Sequence, residues 1–231
     1  MSLDPPSAGA RPSAGEQPLA GVIAGAAAGR FPAPDGGWHR VPPWRAGVEA
    51  IISFTAHALF AVAPDITDGR LAVLGANGLG GAHDPRLITA LAGPDGWIDV
   101  LDMLMAGRGT GGVGPPPRLV DRPDLGTHPR AAFAARIRDH PRVLGYLDPG
   151  RSALAIISRG IAGLTELSFE LEFGHRGRGG GSQLAADALN MIPAGQLVVA
   201  AVAPGNAASV RALLSAGFVP LGSVQLFRRA G

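Results

Sequence analysis

Apolar residues recur along this chain with two different periods, two in some stretches and between three and four in others, and Gly- and Pro-rich breaks separate them. Residues 48–63 carry Ile51, Phe54, Leu59, Phe60 and Val62, which predicts a buried strand or a bent strand pair. His57 in its middle reads as a hydrogen-bonded core residue. Residues 69–75 are ambiguous and 78–81 read as loop. Asp84 before Pro85 predicts the cap of a helix over 85–92; without a third ligand at suitable spacing, His83 and Asp84 do not read as a metal site. Residues 97–106 alternate well enough for a strand, with Asp99 and Asp102 facing either a cleft or solvent, solvent being preferred. The run GRGTGGVGPPP over 107–117 reads as a linker or a long loop. Thr127 is placed to cap a helix over 130–139 that Pro141 stops, and 143–147 with 153–159 predict a hairpin around Asp148-Pro149-Gly150.

The pattern is clearest from residue 164 onward. A strand over 164–173 puts Leu167, Phe169, Leu171 and Phe173 on one face and Glu166, Ser168, Glu170 and Glu172 on the other. A Gly-rich loop follows, then a helix over 182–192, a strand over 196–203, a helix capped by Asn206 and closed by Gly217, and a final strand pair over 218–221 and 224–227. Strands and helices so interleaved imply a mixed α/β layer fold. Before residue 45 the chain is rich in Pro, Gly, Ala and Ser and reads as an extended or disordered arm, with 19–28 a linker or a short helix lying on the domain. The expected organisation is an arm over 1–45, an N-terminal α/β module with its linker over 46–117, and a second domain over 118–231.

The loop between strand and helix is the candidate for chemistry. Gly177, Gly179, Gly180 and Gly181 leave backbone amides uncovered, Arg176 and Arg178 add fixed positive charge, and no Asp or Glu occurs from Phe173 to Ala186. The positive end of the helix dipole is therefore left free for an anion. A P-loop requires a lysine after its last glycine, and every basic side chain here is arginine. A dinucleotide fingerprint fits poorly, because Ser182 stands at its third glycine and no carboxylate ends the next strand.

Arg176-Gly177-Arg178-Gly179-Gly180-Gly181 resembles the Q/R-x-x-G-x-G/A pyrophosphate loop of the GCN5-related N-acetyltransferase (GNAT) superfamily, with Arg176, Gly179 and Gly181 on the fixed positions. Downstream the resemblance continues in Asn206-Ala207-Ala208-Ser209 and in the helix ending at Gly217-Phe218; it covers 164 to about 229, and more loosely the segment from about His128. It implies a GNAT-like acyl-CoA N-acyltransferase fold and an enzyme that moves an acetyl group from acetyl-CoA directly to an amine. By position, Leu171, Glu172 and Phe173 would meet the pantetheine arm. Arg176, Gly177, Arg178, Gly179, Gly180, Gly181 and Ser182 would hold the pyrophosphate, and Asn206 and Ser209 would lie beside the cofactor. Glu166, or Glu170 as the nearer alternative, stands where some members carry a catalytic base. The chain departs from the pattern at Leu213, where many members place an acidic tyrosine; the single tyrosine, Tyr146, has no match in the motif. That departure keeps a second expectation alive, a catalytically silent acyl-CoA-binding or regulatory module, and a Rossmann-type nucleotide binder remains a third.

Composition narrows the partners. The net charge of +2 is small, and the isoelectric point near 10.3 reflects the absence of Lys and Cys rather than a basic surface. No clustered Arg with interleaved aromatics appears, so no nucleic acid is expected. No apolar run approaches the ~18 residues of a membrane helix, and the weak run at 19–28 is a poor leader. A cytoplasmic protein is expected, with a small-molecule or protein amine as acceptor and no metal. Dimerisation and the identity of the acceptor are left open.

Overall fold

The computed structural model describes residues 18–111, 118–172, 174 and 179–230. Its elements, in chain order, are α1 (Leu19–Ala27), β1 (Trp38–Val41), β2 (Glu49–Phe54), β3 (His57–Ala61), α2 (Asp68–Val73), α3 (Pro85–Ala92), β4 (Trp97–Ile98), β5 (Asp102–Arg108), β6 (Leu119–Asp121), α4 (Pro129–Ile137), β7 (Asp139–Tyr146), β8 (Leu154–Arg159), β9 (Thr165–Glu170), α5 (Gly180–Asn190), β10 (Leu197–Val202), α6 (Ala207–Ser215) and β11 (Val219–Arg228). The strands form one mixed 11-stranded sheet in the order β1-β3-β2-β11-β5-β10-β9-β8-β7-β6, with β4 paired to β11. The mixed α/β architecture expected from the pattern is the one observed.

Alternation along the strands separates two cores, one on each face of the sheet. Ile52, Leu104, Ala106, Val199 and Leu226 pack with Leu19, Val22, Ile23 and Ala26 of α1 and with Ile137 of α4. Met105, Val198, Ala200 and Val202 point the other way, toward Leu184, Ala188 and Leu189 of α5 and Leu213 of α6. Beside that second core, Ile51, Phe60 and Phe227 pack against Leu87, Ile88 and Leu91 of α3.

The two halves of the chain share this sheet. β5 lies between two strands of the second half, antiparallel to β10 from Met103↔Val202 to Arg108↔Leu197 and antiparallel to β11 from Asp102↔Val224 to Ala106↔Val219. β11 in turn pairs with β2 over Glu49↔Phe227 to Ser53↔Ser223. The first half thus supplies a central strand.

Several local expectations change. Residues 18–45 are not an extended arm: α1 buries an i, i+3, i+4, i+7 stripe against the sheet, and β1 pairs in parallel with β3. α4 is capped by His128, whose Nδ1 accepts from the Arg130 amide at 3.2 Å, and not by Thr127. Pro141 does not end that helix; it sits inside β7, at a register shift between Asp139 and Arg142 where His140 adopts φ 50°. The stretch 97–106 is divided, because the chain turns between β4 and β5. The first residues of the linker expected over 107–117 are held in place, since β5 runs to Arg108 and the Gly109 and Thr110 amides donate to Gln196 and Leu189 carbonyls at 2.9 Å each; 112–117 lie outside the described residues. Finally, the closing strand pair is the single strand β11, irregular between Pro220 and Gly222.

Asp84 caps α3 as expected, its carboxylate accepting from the Arg86 amide at 2.9 Å. His57 is a hydrogen-bonded core residue: 2% exposed, it contacts Asp35 Oδ1 through Nδ1 at 2.8 Å and His39 through Nε2 at 2.7 Å. Among the described residues no helix is long and apolar enough to cross a membrane.

Candidate active site

β9 and β10 run parallel side by side, yet their ladder is confined to Thr165↔Val198 and Glu166↔Val199. Past Glu166 the strands part. β8 holds the outer edge of β9 and β5 holds the outer edge of β10, so divergence leaves the two inner edges facing each other with no ladder between them. Main-chain donors and acceptors directed into such a gap require a partner.

A cavity of about 240 Å³ occupies the gap. Leu167, Ser168 and Phe169 line it from β9, and Ala200, Ala201 and Val202 from β10. Arg130, Phe133 and Ile137 of α4 with Arg138 reach it from one face of the sheet, while Asn206, Ser209 and Leu213 reach it from the other. The opening between the strands therefore connects the two faces.

The charged groups of the cavity differ in how fully they are engaged. Glu166, 2% exposed, pairs through Oε1 with Arg138 Nη2 at 2.6 Å and accepts from the Ile161 amide through Oε2 at 2.9 Å. Arg138 also donates to Ser168 Oγ at 2.9 Å, and among the described residues its Nε has no hydrogen-bond partner. Glu170, at the end of β9, pairs with Arg130 at 2.9 Å. Of the two catalytic candidates read from the strand's polar face, Glu166 is thus inside the cavity and committed to Arg138, and Glu170 is held to α4.

Asp99 and Asp102 also line this cavity: of the two expected surroundings, cleft and solvent, the structure shows the cleft and not the preferred solvent. Asp99 arrives on the link between β4 and β5 and Asp102 as the first residue of β5, where alternation with Leu104 and Ala106 places it on the same sheet face as Glu166 and α4. Burial, with the neighbouring charges of Asp99 and Glu166, pushes the Asp102 carboxyl up to about 7, although Arg138 pulls it down. Asp99 is raised as well, chiefly by burial. Among the described residues, Asp102 has no hydrogen bond or ion pair through its carboxylate. The sequence signal available was a pair of aspartates in an otherwise apolar strand; what it lacked was which face of that strand would meet a cleft.

The anion seat is described in part. Phe173, Arg176, Gly177 and Arg178 lie outside the described residues. Within them, α5 begins at Gly180 with Gly179 as N-cap, and neither a side-chain cap nor an acidic residue stands in its first turn. Gly179 takes φ 78°, a left-handed conformation that favours glycine. Gly181 admits α6: a Cβ there would lie 3.1 Å from Ala212 Cβ. Ser182 is half-buried in the same turn. Leu171 and Glu172 follow β9; Leu171 packs on the second core and Glu172 pairs with Arg151 at 2.5 Å.

Asn206 caps α6, its Oδ1 accepting from the Ser209 amide at 3.2 Å. Leu213, at the position where the motif resemblance implies a tyrosine, is buried, 2% exposed, on the cavity wall. Tyr146 is not in that wall; its hydroxyl donates to Asp187 of α5 at 3.1 Å, and burial with the Asp187 charge pushes it up to about 12. Its role is to fasten α5 to β7. Among the described residues no group of three or more His, Asp or Glu side chains is disposed to hold a metal ion.

No protein-family profile matches the chain, and no curated protein matches it. Among solved structures it is similar to a GNAT-family protein from Novosphingobium aromaticivorans DSM 12444, at 19% identity over 60% of this chain and 69% of that one, with a TM-score of 0.40. It is also similar to a GNAT-family acetyltransferase from Colwellia psychrerythraea, at 13% identity over 58% and 57% of the two chains and a TM-score of 0.38. A third is a GCN5-related N-acetyltransferase from Kribbella flavida, at 16% identity over 64% and 65% and a TM-score of 0.37. The match spans less than two thirds of the second and third of these proteins.

Proposed function

We propose that this chain is an acyltransferase that takes an acetyl group from acetyl-CoA and delivers it directly to an amine. The observation that carries the reading is the parting of β9 and β10 after Glu166, with a cavity in the gap and an uncapped helix N-terminus one element further on. An extended ligand arm rich in amides finds main-chain partners along the two strand edges, and its anionic end finds the start of α5. The residues present fit such a ligand: among the described residues no side chain caps the first turn of α5. Arg176, Gly177 and Arg178 complete the anion seat in this reading, and Leu171 to Phe173 supply backbone to the arm.

Bound there, a coenzyme A thioester supplies an acyl carbon open to attack by nitrogen. The chain's own residues orient and shield that attack. Phe133, Ile137 and Leu213 give the cavity an apolar wall that keeps water from competing. Glu166 and Glu170 fix Arg138 and Arg130 on the α4 side. Ser209 offers a hydroxyl at the wall for the proton that the departing sulfur requires.

Leu213 favours a second reading, a silent acyl-CoA-binding module, since it removes the family's usual proton donor. Both readings require coenzyme A binding, which a thermal-shift titration of the full chain tests. Acetyl-CoA and CoA are expected to raise the melting temperature while NAD leaves it unchanged; a shift with NAD and none with CoA would reject acyl transfer. CoA release with a panel of amines then separates the enzyme from the silent module.

A further inference from the structure

The acyl-transfer reading does not account for the two aspartates that the first half of the chain sends into the cavity. Its positive groups already hold carboxylates, Arg138 that of Glu166 and Arg130 that of Glu170; Arg138 reaches the two aspartates only as a nearby charge. Among the described residues the Asp99 carboxylate accepts only from a main-chain donor, the Val100 amide at 2.9 Å. Asp102 has none among the described residues. Among the described residues, the rest of the cavity lining brings nothing titratable: Ala201 and Val202 from β10, Val224 and Leu226 from β11, and, across the gap, Ser209 and Leu213 from α6. The uncompensated charge in the cavity is therefore negative, and it lies on the face opposite α6, beside the gap between the strands.

A carboxylate left in this state invites a cation that can hydrogen-bond to it. We propose, resting on the acyl-transfer reading, that the acceptor is a protonated alkylamine drawn in by Asp99 and Asp102, and that Asp102 removes its proton. In the proposed step the alkylammonium gives one proton to an Oδ of Asp102, which passes it to solvent. The nitrogen lone pair then forms the C–N bond as the C–S bond breaks, and the second N–H proton goes to the departing sulfur. Amide and thiol result, with no further reactant.

Glu166 is the poorer acceptor in this arrangement. Both its oxygens already accept from donors, and protonating it would strand the Arg138 guanidinium in a buried position. Asp102 carries no such commitment, and a carboxyl that titrates at about 7 is matched to taking and returning a proton near neutrality. The cavity of about 240 Å³ admits a narrow alkyl chain, either a free amine or a lysine side chain presented end-on.

The test uses full-length wild type, Asp102→Asn and Asp102→Glu, each with acetyl-CoA and three acceptor probes. n-Butylamine and Nα-acetyl-lysinamide are cationic at pH 7, and phenylhydrazine is not. Asp102→Asn is expected to keep the acetyl-CoA melting shift and to lose about 100-fold in kcat on the two cationic acceptors. It should change phenylhydrazine transfer little and lose the acidic limb of the kcat/KM profile. Asp102→Glu should recover part of the loss. The ratio of the two cationic probes tells a free amine from a lysine side chain. Equal losses on all three acceptors, no loss on any, or intact acetyl-CoA binding with no turnover by wild type would each overturn the proposal. Absence of the acetyl-CoA shift in wild type would instead reject the acyl-transfer reading beneath it.

Discussion

Asp102 is the residue on which function and stability pull in opposite directions. Its folded-state pKa, about 7, lies above its ordinary value of 3.8, so between those pH values the folded chain binds a proton that the unfolded chain has released. Stability contributed by that proton is present at low pH and lost as pH rises toward about 7. Replacing Asp102 by Asn removes the loss. Calorimetric melting is expected to show the variant above wild type at pH 8 by roughly 3 °C and level with it at pH 4; a variant less stable than wild type at pH 8 would contradict this. The polar face of β9 was legible in the sequence because alternation alone defines it, and Glu166 and Ser168 of that face line the cavity. Asp102 was not legible. Its face is fixed by pairing with strands that lie about a hundred residues further along the chain, which no local period encodes.

At the scale of elements, the packing of α5 against α6 decides whether the anion seat keeps its shape. Gly181 is a point of close approach, where an added Cβ would lie only 3.1 Å from Ala212 Cβ. Gly181→Val is expected to push the helices apart, lower stability by about 1–3 kcal/mol and abolish the acetyl-CoA melting shift; a shift of wild-type size would mean that the start of α5 does not hold the ligand. Elements bounded by strong local chemistry were readable: Asp84 with Pro85 marks α3, Asp148-Pro149-Gly150 marks the turn between β7 and β8, and Asn206 marks α6. Those decided by competition were not. Thr127 and His128 are both able to cap, and His128 wins with its ring nitrogen on the Arg130 amide. Pro141 reads as a helix stop, yet the helix has already ended and the proline is absorbed at the bulge of β7.

For the whole molecule, the governing fact is that β5 runs between β10 and β11 and delivers Asp102 to a gap that β10 itself helps to open. Composition and period suggested the mixed α/β class, and the order of motifs after residue 164 suggested the purpose of its second half. The insertion of β5 was hidden because strand order depends on edges meeting in space. The account stands or falls on the parted edges of β9 and β10 receiving a thioester arm. Amide hydrogen exchange of the full chain, with and without acetyl-CoA, measures this directly. Protection is expected to rise in 167–172, in 200–203 and in the first turn of α5, and to stay level in β1 to β3. Unchanged exchange along both strand edges at saturating acetyl-CoA would contradict it.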